Sequence, residues 1–161
     1  MQRRRWLWRV LMIVAALLVL AQAVPYGHGH VNPPVRRDAP WASAQTRELA
    51  VRACYGCHSN ATIWPWYSHV APVSWLVASD VDEGREHLNF SEWDRPQKHA
   101  RHAADEVQKG EMPPGIYLLG HPEARLDSTQ RAALIDALNQ LAKGEPERSA
   151  RDDDDDERHR P

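Results

Sequence analysis

The feature that most constrains this chain is Cys54-Tyr55-Gly56-Cys57-His58, which places its only two cysteines two residues apart with a histidine directly after the second. Two thiols at this separation can each add to one vinyl group of a porphyrin, and the next residue is then held beneath the iron. The run therefore reads as a c-type haem attachment site, with Cys54 and Cys57 as tethers and His58 as the proximal iron ligand. Three other chemistries use a cysteine pair: a thioredoxin-like redox couple, a structural disulfide and half of a zinc site. The redox couple calls for a βαβ context that the downstream pattern lacks. Zinc calls for further thiols or a distant pair of histidines at ligand spacing.

The N-terminus carries Arg3, Arg4 and Arg5, then Trp6, Trp8 and Arg9, before an unbroken apolar run from Val10 to Ala21. A basic start followed by an apolar stretch is the pattern of an export signal. The apolar run has 12 residues, short of the ~20 that span a bilayer, although Trp6 to Val24 nearly suffices with Arg9 and Gln22 at the interfaces. Ala21-Gln22-Ala23 resembles a cleavage site. Residues 1–24 are thus expected to be a signal peptide or a retained transmembrane anchor, and either delivers the rest to the periplasmic side of a bacterial inner membrane. In that oxidising compartment an unmodified cysteine pair tends to close as a disulfide, so haem capture has to follow export.

Residues 25–40 hold Pro25, Gly27, Gly29, Pro33, Pro34 and Pro40 and read as an extended linker, in which His28 and His30 hint at metal binding. Residues 41–143 form one small domain, and the run 144–161, with its acidic block from Asp152 to Glu157, is expected to be disordered. Between Arg36 and Lys143 there are 12 basic and 14 acidic side chains. That balance offers no footprint for nucleic acid. Only one phenylalanine is present, and five tryptophans lie outside the targeting segment: Trp41, Trp64, Trp66, Trp75 and Trp93. They can pack against a porphyrin or simply fill a core.

From Trp41 onward the apolar spacing is helical. Ser43 caps a first helix that ends at the cysteine motif, where Gly56 permits a tight turn. Residues 60–68, with Trp64-Pro65-Trp66, should be irregular. A second helix spans Val73 to His87, and a third is predicted over Pro96 to Gln108, with Pro96 in its first turn. The last starts at Asp127, capped with the help of Gln130, carries Leu134, Ile135, Leu138 and Leu141 on one face, and stops at Gly144. No strand pattern of convincing length is present, so the domain is expected to be all-α.

A haem with one histidine has a second axial position, and what fills it separates carrier from catalyst or sensor. Met112 is the leading candidate. It lies in Gly110-Glu111-Met112-Pro113-Pro114-Gly115 and is the one methionine outside the targeting segment; prolines on its C-terminal side can hold its thioether at a fixed point. A buried gap-filler is the plainer reading of Met112. His69, His87, His99 and His102 are the alternatives for bis-histidine ligation, with His99 and His102 read as surface residues of the predicted third helix.

The segments Cys54-Tyr55-Gly56-Cys57-His58-Ser59-Asn60, Trp64-Pro65-Trp66-Tyr67 and Ala71-Pro72-Val73-Ser74-Trp75 resemble the bacterial haem-binding domain family, a branch of the monohaem c-type cytochromes. The likeness continues through Gly84-Arg85-Glu86-His87-Leu88-Asn89-Phe90-Ser91-Glu92-Trp93, Glu111-Met112-Pro113-Pro114 and His121-Pro122-Glu123-Ala124, over about residues 45–143. The resemblance implies a cytochrome c-like helical domain with thioether bonds at Cys54 and Cys57, His58 as proximal ligand and Met112 as distal ligand. It implies no catalytic residue. The expected function is single-electron transfer through one haem c to a redox partner protein. The competing readings are a small haem peroxidase, which needs an open iron position, and a redox or gas sensor.

Overall fold

Two local devices start the main helices where the sequence places them. Helix α1 is Gln2–Ala21, and the Ser43 side chain accepts from the Thr46 backbone N–H at 3.1 Å to open α2, Ala44–Ala53. Asp127 and Gln130 form a reciprocal capping box (Gln130 N–H to Asp127 at 2.9 Å, Asp127 N–H to Gln130 at 3.1 Å) that opens α7, Ser128–Lys143. Between them lie α3 (Tyr55–His58), α4 (Val73–His87), α5 (Ala103–Lys109) and α6 (Tyr117–Gly120), with 3-10 turns at Trp66–His69 and Pro122–Ala124. The computed structural model describes residues 2–97 and 99–144, and among these there is no strand beyond one isolated bridge between Arg37 and Glu92. The expected disorder of the acidic tail falls on 145–161, outside the described residues.

The described chain divides into two compact units. One comprises residues 2–31 and 64–81, the other 32–63 and 82–144. In the first unit α1 buries none of its residues, and the Gln22 amide, just beyond it, makes a reciprocal pair with the Ala71 backbone at 2.9 and 3.0 Å. The expectation of a transmembrane anchor is not met: among the described residues no helix is long and apolar enough to cross a membrane. The physical reason is that α1 carries Arg3, Arg4, Arg5 and Arg9 within its length, which leaves only the run from Val10 to Ala21 free of charge.

In the second unit α7 packs against both α2 and α5. Leu134, Leu138 and Leu141 recur at helical spacing on the buried face of α7 and meet Leu49, Ala50 and Ala53 of α2 and Ala104 and Val107 of α5 in one core. Full burial of each such leucine stabilises by about 1.5–3 kcal/mol. The same core takes in Ala39, Tyr55, Leu88 and Phe90. Asp127→Ala, which removes the acceptor of the capping box, should lower stability by about 1 kcal/mol, measured as a drop of a few degrees in thermal midpoint.

Three other expectations are revised. The third helix begins at Ala103 rather than Pro96, because Gln97, 2% exposed, turns its side chain inward: its Oε1 accepts from Asn89 N–H at 2.8 Å and its Nε2 donates to the carbonyl of Glu92 at 2.8 Å. His99 therefore lies in a turn and His102 at the N-cap of α5, not on one helix face. The proline-rich stretch is also more than a spacer at its C-terminal end. Arg36 and Arg37 N–H donate to Ser91 O, Ala39 N–H to Phe90 O, and Trp93 N–H to Arg37 O, so residues 36–39 lie along 90–93.

Candidate functional site

Helix α2 ends at Ala53, and the chain turns at Cys54, whose N–H closes on Ala50 O at 2.8 Å, directly into the single turn of α3. Cys54, Cys57 and His58 thus sit on one compact turn, with His58 N–H donating back to Cys54 O at 2.9 Å. Neither cysteine is in a disulfide, and both are half-buried. Burial pushes the Cys54 thiol up to about 12, with the neighbouring Cys57 adding to the shift, so the group is a neutral thiol rather than a thiolate. Zinc coordination wants a third and fourth donor beside the two cysteines. Among the described residues no group of three or more His, Cys, Asp or Glu side chains could hold a metal ion.

The His58 ring is held through Nδ1, which lies 2.8 Å from Gly84 O and 3.1 Å from Leu88 O. A carbonyl can only accept, so Nδ1 carries the proton and the lone pair of the neutral ring is on Nε2. Burial lowers the imidazole pKa, against the raising effect of the two carbonyls, which favours that neutral form. This is the arrangement found in metal-ligating histidines, where the second ring nitrogen is tied to a carbonyl that fixes tautomer and orientation.

The sequence reading missed what brings those carbonyls so near. A Cβ built on Gly84 of α4 would stand 2.8 Å from Cys57 O and 3.1 Å from Cys57 C and Cβ. Only a glycine lets α4 approach the turn of residues 54–58 this closely, and the approach is to backbone, which cannot swing aside. Gly56 differs: its φ is not in the left-handed region, and a Cβ there would meet only the Tyr117 hydroxyl, at 2.7 Å, the outer end of a side chain rather than backbone.

Below the turn a buried polar network fixes His58 by its neighbours. Phe90 N–H donates to His58 O at 2.8 Å. Ser59 Oγ donates to Tyr55 O at 2.7 Å and accepts from Ala61 N–H. Asn60 accepts from Asn89 Nδ2 at 2.8 Å and donates to Pro34 O and Glu92 Oε1, while its own N–H goes to Ser91 Oγ. Arg85 donates to Ser59 O at 2.8 Å, Asn32 Oδ1 and Thr62 Oγ1. Asparagines 60 and 89 are almost fully buried, so each unmet hydrogen bond here would cost about 1–3 kcal/mol. The Asn-Phe-Ser-Glu-Trp segment thus serves as a bracket for the turn of residues 54–58.

Met112 belongs to a separate segment of the same unit. Helix α5 ends at Gly110, which has φ of +79°, and the chain folds back so that Glu111 and Met112 N–H both donate to Glu106 O at 3.0 and 3.2 Å. That fixes the Met112 backbone. Its side chain is 38% exposed rather than a buried gap-filler. The segment then runs through Pro113 and Pro114 into α6, whose first residue, Tyr117, is the one against Gly56.

Of the histidine alternatives, His69 lies in the first unit, exposed, with its ring edge-on to His30 at 4.2 Å between centroids. His30 Nε2 donates to Ser68 O at 2.9 Å. His87, His99 and His102 form an exposed run of rings 4.6 and 6.1 Å apart in centroid spacing. Of the tryptophans, Trp41 and Trp93 pack on the core of the second unit, while Trp66 is exposed.

A family model described as a haem-binding domain matches residues 16–140. No curated protein and no solved structure matches the chain.

Proposed function

The chain belongs to the haem-binding domain family, and on that premise we propose that it carries one covalent haem c and passes single electrons at the periplasmic face of the inner membrane. The observation that carries the proposal is the His58 ring, whose Nδ1 proton is committed to Gly84 O and Leu88 O so that Nε2 is free to ligate iron. The donor set fits a haem: two thiols outside any disulfide on the same turn, and a neutral imidazole immediately after.

Each residue then has a stated duty. Cys54 and Cys57 would hold the porphyrin as its two thioether tethers. His58 is the proximal ligand, and Gly84, Leu88, Asn60 and Asn89 hold it in orientation. Met112, whose backbone follows the Gly110 cap and which is exposed, would be the second protein ligand. When bound, the haem would supply a one-electron couple, and holding by both His58 and Met112 would suit it to transfer rather than to substrate chemistry. The basic, apolar leading segment acts as the export signal at the membrane, and the electron passes to a redox partner protein.

Met112→Ala in the exported chain should leave the covalent adduct intact, lower the reduction potential, and let carbon monoxide bind the reduced iron. The ferric form should also lose the weak long-wavelength band of sulfur ligation. An unchanged potential and spectrum would remove Met112 from the iron and favour the open-iron or bis-histidine readings. A reduced-minus-oxidised spectrum of the parent protein that is six-coordinate and indifferent to carbon monoxide supports the carrier.

A further inference from the structure

Gln22, the residue just beyond α1, does for Ala71 what a neighbouring strand would do. Its Nε2 donates to Ala71 O at 2.9 Å and its Oε1 accepts from Ala71 N–H at 3.0 Å. The same Nε2 lies 2.9 Å from Leu18 O, so the amide ties the last turn of α1 to that peptide. Ala71 is 1% exposed, and a buried peptide group left without partners is strongly destabilising. Gln22 is also the middle residue of Ala21-Gln22-Ala23, the candidate cleavage site. A cut after Ala23 would carry Gln22 away and strip Ala71 of both bonds.

Nor is that segment presented as a protease substrate. Gln22, Ala23 and Val24 N–H donate to Val19, Leu20 and Ala21 O at 3.1, 3.0 and 3.2 Å, so the chain stays wound through the point of cleavage. Nicking favours exposed backbone that is free of such bonds. The family match, moreover, opens at residue 16, ahead of the cut.

What stays attached is an open apolar surface. Helix α1 buries none of its residues, and Leu17, Val19 and Leu20 are all exposed by 60% or more. Soluble monomers rarely leave so long an apolar run facing water. Within the same compact unit the surface continues, because Gln22 brings the end of α1 to Ala71, and Val70, Val73 and Leu76 close by in the chain are exposed as well. Val73 and Leu76 are three apart and share a face of α4, a stripe that ends at the exposed Asp80. Charge identifies what covers this surface. Arg3, Arg4, Arg5 and Arg9 surround the exposed Trp6 and Trp8, and α1 contains no acidic residue. Arginines draw in anionic phospholipid headgroups, and indole rings settle at headgroup level. The apolar run of 12 residues is about 18 Å long, too short to cross a ~30 Å hydrocarbon layer but able to lie along its surface.

Resting on the export reading above and not on the haem, we propose that the exported chain keeps its leading segment, uncut at Ala23, and that α1, Val70, Val73 and Leu76 seat it on an anionic phospholipid surface. Gln22 is the clasp between the helix and the rest of that unit.

Intact mass of the exported chain tests the first half. The expected mass includes the residues ahead of Val24, with or without a porphyrin adduct, and a chain that begins at Val24 overturns the proposal. Flotation tests the second. The full chain, purified in detergent, is diluted into vesicles of phosphatidylglycerol or of phosphatidylcholine and spun through a density gradient, where lipid-bound protein rises and self-associated protein sinks. The chain should float with phosphatidylglycerol about ten-fold better than with phosphatidylcholine. Val73→Glu with Leu76→Glu, both at exposed positions, should cut the floated fraction about ten-fold, while Val73→Leu with Leu76→Val should float like the parent. Equal flotation with the two lipids, a glutamate variant that floats like the parent, or a full chain that sinks overturns the proposal. A chain that never leaves the cytoplasm fails at the export reading instead, and its flotation still tests the lipid face.

Discussion

His58→Ala in the exported chain is expected to reduce haem-loaded protein by at least the ~10–100-fold that loss of an outer partner of a metal ligand alone costs. The substitution removes Nε2, which the iron would take, and also both contacts of Nδ1 to Gly84 O and Leu88 O. Those carbonyls belong to the C-terminal part of α4 and to the residue just after it, and Gly84 O still receives Leu88 N–H at 3.0 Å. The apoprotein is therefore expected to keep its helical content while the holoprotein disappears. Replacing Cys54 and Cys57 together by serine should act differently: His58 stays, so haem binding persists in part, but acidified acetone extracts it and the mass of the denatured chain no longer includes the porphyrin. Both measurements are made on the same exported material. A denatured parent chain without the added mass, or a double serine variant that still carries it, would end the covalent reading.

Gly84→Ala is the second large effect, and its sign is the informative part. In a helix, alanine is favoured over glycine by about 0.8–1.0 kcal/mol, so propensity alone makes this variant more stable. The structure reverses the expectation. The new Cβ would sit 2.8 Å from Cys57 O, a backbone atom held in the attachment turn. Overpacking of this kind costs about 1–3 kcal/mol, and here α4 can escape only by moving the Gly84 and Leu88 carbonyls off His58. Denaturant unfolding of the haem-free chain should show a net loss of stability, and haem loading should fall with it. A more stable variant with normal loading would mean that α4 does not press on the turn.

Gly84 shows how far the chain could be read without its fold. The α4 range of Val73–His87 agrees with the apolar spacing, and the α7 start agrees with the Asp127 and Gln130 pair, because both signals act within one or two turns of the residues they organise. Inside α4, however, a glycine reads only as a weak helix residue. Its use is to admit Cys57, 27 positions earlier, and periodicity carries no trace of that. Gln97 fails to start a helix for the same reason. Its amide is spent on Asn89 and Glu92, which fold around it, and nothing in Pro96-Gln97 announces the diversion. Residues 36–39 looked like spacer because their contribution is made by backbone N–H groups, which every sequence possesses.

What the sequence by itself determined is the placing of Cys54, Cys57 and His58 along a single turn, since their order depends only on covalent neighbours, together with the all-helical class and the caps that begin α2 and α7. The tertiary structure alone decided which nitrogen of His58 bears the proton, why residue 84 is glycine, and that Tyr55 points inward to Phe90 and Asp38. Each of those rests on groups far apart in the chain that meet only after the core has closed, and a distance of 3 Å between such groups is a property of the packing rather than of any local pattern.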